Sequence, residues 1–217
     1  MATLASARVQ LARRVLAPGG ALQQRRLLSQ RVVSTSEAIR LVETKTIGRK
    51  AVAAVALKAG TVINTFVHPV LRSPLMHTVQ FDDKVHVAPT DGAEFISHWC
   101  EDTNTRIVVA EDRRSAQFVT TCDVQAGDDL SFNYNTTEWS MNSPFLCACP
   151  ACEASQHPRY VRGFKHLSVE DRSAIASETS PLIRDKAWEE ARAHLEQLEG
   201  IHENENEVYF KVAAAAP

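Results

Sequence analysis

No apolar run in this sequence approaches the ~18 residues that a membrane-spanning helix needs, which excludes such a helix. Cysteine is scarce and odd in number, five in 217 residues, which argues against a disulfide-dense scaffold. Eight glycines without a period exclude a collagen-like chain, and 44% hydrophobic residues exclude a wholly disordered one. What remains is an ordinary globular composition, long enough for one domain with a real core and a tail at each end. Aspartate, glutamate and lysine are all missing from residues 1–36, which carry six arginines: Arg8, Arg13, Arg14, Arg25, Arg26 and Arg31. With those six removed, the other residues hold 18 Lys+Arg (24 − 6) against 26 Asp+Glu, a net of −8.

A basic head without acids, rich in Arg, Leu, Ala, Ser and Gln, has the composition of a mitochondrial or plastid transit peptide. Leu4, Leu11 and Val15 fall near one face of a cationic helix, and Pro18-Gly19-Gly20 would end it. Arg13 and Arg14 interrupt any apolar core that a secretory signal would need. The alternative is a basic tail that touches an anion, with the protein in the nucleus or cytoplasm.

The body reads as mainly β. Strands are expected at Glu37–Glu43, Ala51–Ala56 and Thr61–Val67, with a turn at Leu57-Lys58-Ala59-Gly60. Met76–Phe81 with Lys84–Val87, and Arg106–Ala110 with Gln117–Thr121, read as hairpins, and Leu130–Asn133 as a short strand. After Gly163 the pattern becomes helical. Ser168-Val169-Glu170-Asp171 has the form of a capping box, and Ser180-Pro181 opens a longer helix. There Ile183, Ala187, Trp188, Ala191, Leu195 and Leu198 recur every three or four residues until Gly200. That spacing predicts about five amphipathic turns docked on the parent domain by their apolar stripe. The final Ala-rich tail is expected to fray.

Cys147, Cys149 and Cys152 lie within six positions. Thiolates so crowded suit tetrahedral Zn²⁺, because a short loop loses little closure entropy when a metal gathers it. A structural zinc site wants four ligands, and Cys100, Cys122 and His157 are each candidates for the fourth.

Four segments, in order, resemble the SET-domain family of protein lysine methyltransferases. Gly48-Arg49-Lys50-Ala51-Val52-Ala53, with Ala59-Gly60-Thr61-Val62-Ile63 after it, is similar to the family's Gly-x-Gly-like cofactor loop. Phe95-Ile96-Ser97-His98-Trp99-Cys100, followed by Asn104, is similar to its Asn-His-Ser-Cys-x-Pro-Asn segment. Ala126-Gly127-Asp128-Asp129-Leu130-Ser131-Phe132-Asn133-Tyr134 resembles the segment ending on the family's catalytic tyrosine. The three clustered cysteines, with Gly163-Phe164-Lys165 beyond, resemble a post-SET segment. The Asn135-Thr136-Thr137-Glu138-Trp139 stretch is similar to small stand-alone members. The resemblance implies a SET-type fold of several small β-sheets with a C-terminal helical extension. It divides the chain into a head at 1–36, a SET domain at 38–143, a post-SET zinc segment at 144–167, helices at 168–200 and a tail at 201–217.

The resemblance also implies S-adenosylmethionine and zinc as cofactors and a protein substrate carrying a lysine; neither a membrane nor a specific nucleic acid is expected as partner. It gives Cys100 as fourth zinc ligand with Cys147, Cys149 and Cys152, which leaves Cys122 to β packing and His157 at the surface. Tyr134 takes the catalytic role, Phe132 lines the lysine channel, and Gly48, Arg49, Lys50, Ser97, His98 and Phe164 contact the cofactor. The chemistry accords with those residue types. A free lysine, with a pKa of about 10.4, is neutral roughly once in 2,500 molecules at pH 7, so the site must favour the neutral amine and align it. Three positions depart from the family pattern: Lys50 replaces a Gly, Ser97 an Asn, and Thr103 a Pro, the last in a segment one residue longer. Lys50 and Ser97 favour the alternative, a SET-like zinc-binding domain that binds a peptide and has lost catalysis, while Tyr134 and the four cysteines favour an active enzyme.

Overall fold

A computed structural model describes residues 31–35, 37–45, 48–67 and 70–199. The cationic helix of the head and the Ala-rich tail expected from sequence lie outside these residues. Among the described residues, thirteen short strands, β1 to β13, form five small sheets, and the fold is mainly β.

The first sheet is antiparallel, in the order β1 (Arg31–Thr35), β2 (Ile39–Thr44), β3 (Gly48–Ala53). Two of these strands differ from expectation. β1 lies inside the segment whose composition marks it as basic head, and β3 begins at Gly48 instead of Ala51. Gly48, at φ +73°, starts the strand in a conformation that an unbranched backbone adopts freely.

The second sheet orders β4 (Val62–Phe66), β10 (Ala116–Thr120) and β9 (Thr105–Val109). Alternation on β9 and β10 turns Thr105, Ile107 and Val109 and then Ala116, Phe118 and Thr120 inward, as period-two patterning requires. The third sheet orders β5 (Val70–Leu71), β7 (Val85–Val87) and β6 (Val79–Asp82). The hairpin of β6 and β7 is the one expected; β5 is too short to leave a periodic signal.

β8 (Ser97–His98) and β11 (Ser131–Phe132) pair in parallel, and β12 (Phe145–Leu146) and β13 (Tyr160–Val161) pair antiparallel. The core runs under the first three sheets. Its aromatic rings form a chain in which Phe66 lies 5.8 Å from Phe81 and 5.5 Å from Phe118, and Phe118 lies 5.3 Å from Phe132.

Among the described residues the α-helices are α1 (Pro150–Ser155), between β12 and β13, and then α2 (Val169–Ile175) and α3 (Pro181–Glu199). Ser168 caps α2, its hydroxyl accepting the Asp171 N–H at 3.1 Å. The stripe expected on α3 is fully buried at its start and half-buried further on, at Ala187, Ala191 and Leu195. Leu182 and Ile183 are inside, whereas Trp188 is 58% exposed. Lys186 reaches Asp83 of the β6–β7 turn, and Arg113 reaches Asp185.

Candidate metal centre and the tyrosine beside it

Cys147 follows β12, and Cys149 sits at the N-cap of α1 with Pro150 in the first turn, where a missing N–H costs nothing. One turn of helix then returns Cys152 to the same side, and Cys100 arrives from the end of β8. The four Sγ atoms all lie within 4.8 Å of one another, and Cys100 and Cys152 are 3.7 Å apart. Tetrahedral zinc, with Zn–S bonds of about 2.3 Å, needs sulfurs about 3.8 Å apart, so the donor set fits the ion. None of the four is in a disulfide. Val161 and the partly buried Trp99, Met141 and Phe145 pack around them, an apolar shell for the site.

Electrostatics make the same point. Burial pushes the Cys100 thiol far up, aided by hydrogen bonding and charge from Cys147. Burial also pushes Cys147 up, to about 12. For Cys149 burial acts upward too, but backbone hydrogen bonds from Cys100 and Cys152, with the neighbouring thiols, bring it to about 7. Neighbouring thiolates repel one another, and a divalent cation between the sulfurs offsets that repulsion. Four cysteines thus form a site that can hold a metal ion such as zinc. Cys122 is exposed rather than packed in the β core, and His157 is exposed as expected.

Beside this cluster stands Tyr134, at the start of a 3₁₀ turn over Tyr134–Thr136 that the Asn133 side chain caps by accepting the Asn135 N–H. The tyrosine ring lies 4.7 Å from Phe132 and meets His98 edge-on at 5.2 Å. Its hydroxyl donates to the Ile96 carbonyl at 2.7 Å. Burial, and then the nearby Glu138 charge, raise the phenol's pKa, so the hydroxyl stays protonated. His98, buried on β8, is held neutral, its pKa lowered to about 4 by burial and then by the Arg159 cation.

The remaining sequence-derived candidates divide into two groups. Gly48 and Arg49 are exposed and Ser97 is half-buried, with the Arg49 guanidinium 5.8 Å over the Phe95 ring. An added Cβ at Gly48 would meet nothing within 4 Å, so the backbone there is open to a ligand. Lys50 and Phe164 are instead committed to the protein. The buried Lys50 ammonium pairs with Asp129 at 2.5 Å. Phe164 is buried, stacks on Trp139 at 6.0 Å and carries the Arg172 guanidinium over its ring at 5.3 Å.

The structure joins the separated segments through backbone hydrogen bonds. Leu130 N–H donates to Ala51 O, Ser97 N–H to Leu130 O, and Trp99 N–H to Phe132 O. Asn104 completes the join, its amide donating to Asp129 O at 2.8 Å and its oxygen accepting the Ser131 N–H at 3.0 Å. The extra residue after Cys100 therefore does not move Asn104 away from the tyrosine-bearing segment.

Sequence reasoning missed Glu138 and Gln80 as a unit. The Glu138 carboxylate accepts the Gln80 N–H at 2.9 Å, and the Gln80 side-chain oxygen accepts the Trp139 N–H at 3.2 Å. Burial pushes Glu138 up to about 8 against that one hydrogen bond. Nothing in the spacing of two residues so far apart could have paired them. The chain matches no protein-family model and no curated protein.

Proposed function

We propose that this protein is a SET-type protein-lysine methyltransferase, using S-adenosylmethionine and held together by structural zinc. The observation that carries the reading is a convergence. The four segments bearing the resemblance, at 48–53, 95–104, 126–134 and 147–152, are tied to one another around Tyr134 by the hydrogen bonds and sulfur contacts described above.

When bound, S-adenosylmethionine supplies an electrophilic methyl group. Gly48, Arg49 and Ser97 are the residues free to hold it, with open backbone, a guanidinium and a hydroxyl. Phe132, Tyr134 and Phe145 give the acceptor lysine an apolar, aromatic surround, which disfavours its charged form. The Tyr134 hydroxyl spends its proton on Ile96 O, so its oxygen lone pairs face the amine as acceptors and fix the nitrogen's direction. The basic head ahead of β1 acts in this reading as an organelle address, and the substrate is then an organelle protein.

Isothermal calorimetry with S-adenosylmethionine, followed by transfer of a labelled methyl group to an organelle extract, tests the reading. Tyr134→Phe should retain cofactor binding and lose transfer on the order of 10²-fold. No cofactor binding by the wild-type protein would sink it. A fluorescent fusion of residues 1–45 that stays diffuse or nuclear would remove the organelle address alone. The buried Lys50–Asp129 pair, at a position where the family has Gly, favours a second reading: a peptide-binding domain without turnover. That reading predicts peptide binding with no heat from the cofactor.

A further inference from the structure

His98 touches both halves of the site. Its strand β8 pairs with β11 so that His98 stands opposite Phe132, and the flanking Ser97 and Trp99 N–H groups bind Leu130 O and Phe132 O. The ring is thereby fixed in place, with Tyr134 and Phe145 edge-on to it at 5.2 and 5.7 Å. Nδ1 accepts the Tyr134 backbone N–H at 3.0 Å. An accepting Nδ1 in a neutral imidazole places the ring proton on Nε2. Nε2 lies 3.4 Å from Cys100 Sγ, within donating reach of a sulfur.

We propose that His98 is a positioning residue that couples metal occupancy of the four-cysteine centre to the placement of Tyr134. A metal converts Cys100 to a thiolate, a stronger acceptor than a thiol, and the Nε2–H···Sγ bond tightens. Donation from Nε2 makes Nδ1 more basic, and Nδ1 then holds the Tyr134 N–H more firmly, which fixes the first residue of the 3₁₀ turn. Without metal the sulfur is a weak acceptor and the tyrosine's anchor loosens. The coupling rests on the proposed function only for what Tyr134 does; the relay itself is read without turnover.

The test is a zinc titration of the ¹⁵N-labelled, full-length, metal-free protein followed by NMR. Zinc should move the Tyr134 amide proton downfield and shift the His98 ring nitrogens, in step with binding. In parallel, His98→Phe, which keeps the ring packing and removes both nitrogens, should surrender zinc to a chromophoric chelator with an affinity ten- to a hundred-fold weaker. A Tyr134 amide that stays fixed while zinc binds overturns the relay, as does wild-type zinc affinity in His98→Phe. Should that variant fail to fold, the wild-type titration decides. A wild type that binds no zinc removes the metal centre and the relay together. One that shows the shifts but binds no S-adenosylmethionine keeps the relay and loses the methyltransferase.

Discussion

At the scale of single residues, Gly163 leaves no room for a side chain. It has φ +104° and ψ 165°, a region closed to other residues, and its N–H donates to the Asn135 side chain at 3.1 Å. A Cβ there would stand 2.7 Å from Trp139 O and 2.8 Å from Ser140 Cα. Gly163→Ala should therefore cost roughly 2–5 kcal/mol in denaturant unfolding, from strain and overpacking together. Glu138 makes a prediction about pH. The folded protein keeps the carboxyl proton up to about 8, while the unfolded chain releases it near the ordinary value of 4.5. Between those values the folded state binds more protons, so this residue makes stability fall as pH rises, with no further change above about 8. Glu138→Gln keeps an acceptor for the Gln80 N–H and removes the titration. Its unfolding midpoint should be flatter with pH between 5 and 8 than the wild type's; an unchanged slope would mean that Glu138 is already ionised in the fold.

At the scale of elements, α3 is two structures in one. Its first turn is part of the core, with Ser180 N–H bound to Thr136 O at 2.8 Å and Ile183 fully covered. Ile183→Ala should lose about 2–4 kcal/mol of stability, whereas Trp188→Ala should change it by less than about 0.5 kcal/mol. Equal costs would show that Trp188 packs on the body as firmly as Ile183 does. The sequence period is real in this helix: Ala187, Ala191 and Leu195 stay half-buried along the stripe, while Trp188 stands off it. Strand boundaries show a similar limit. β9 and β10 were legible because both alternate over five residues. β5, β8 and β12 have two residues each, fewer than any period needs, and their pairing partners alone define them.

At the scale of the molecule, a metal at the four cysteines ties β8 in the main body to the segment of β12, α1 and β13. Chelation should raise hydrogen exchange in residues 145–161 and leave the sheet of β4, β10 and β9 protected, because that sheet rests on Phe66, Phe118 and Ile107. Uniform protection before and after chelation would show that the segment holds itself. Cys100→Ser should lower bound metal in elemental analysis, while Cys122→Ser, which changes an exposed thiol outside the cluster, should leave it intact.

Local order was written plainly in the chain. Short runs joined by charged turn residues gave the hairpins, the capping box gave α2, and three thiols in six positions gave most of a metal site, because each depends on neighbours a few bonds away. The choice of Cys100 over Cys122 and His157 on the residues alone, the burial of Lys50 against Asp129, the packing of Phe164 on Trp139 and the bridge from Cys100 through His98 to Tyr134 needed the folded chain. Those contacts join residues from separate strands and loops. Sequence spacing constrains them only through the sheet pairings that the whole core selects.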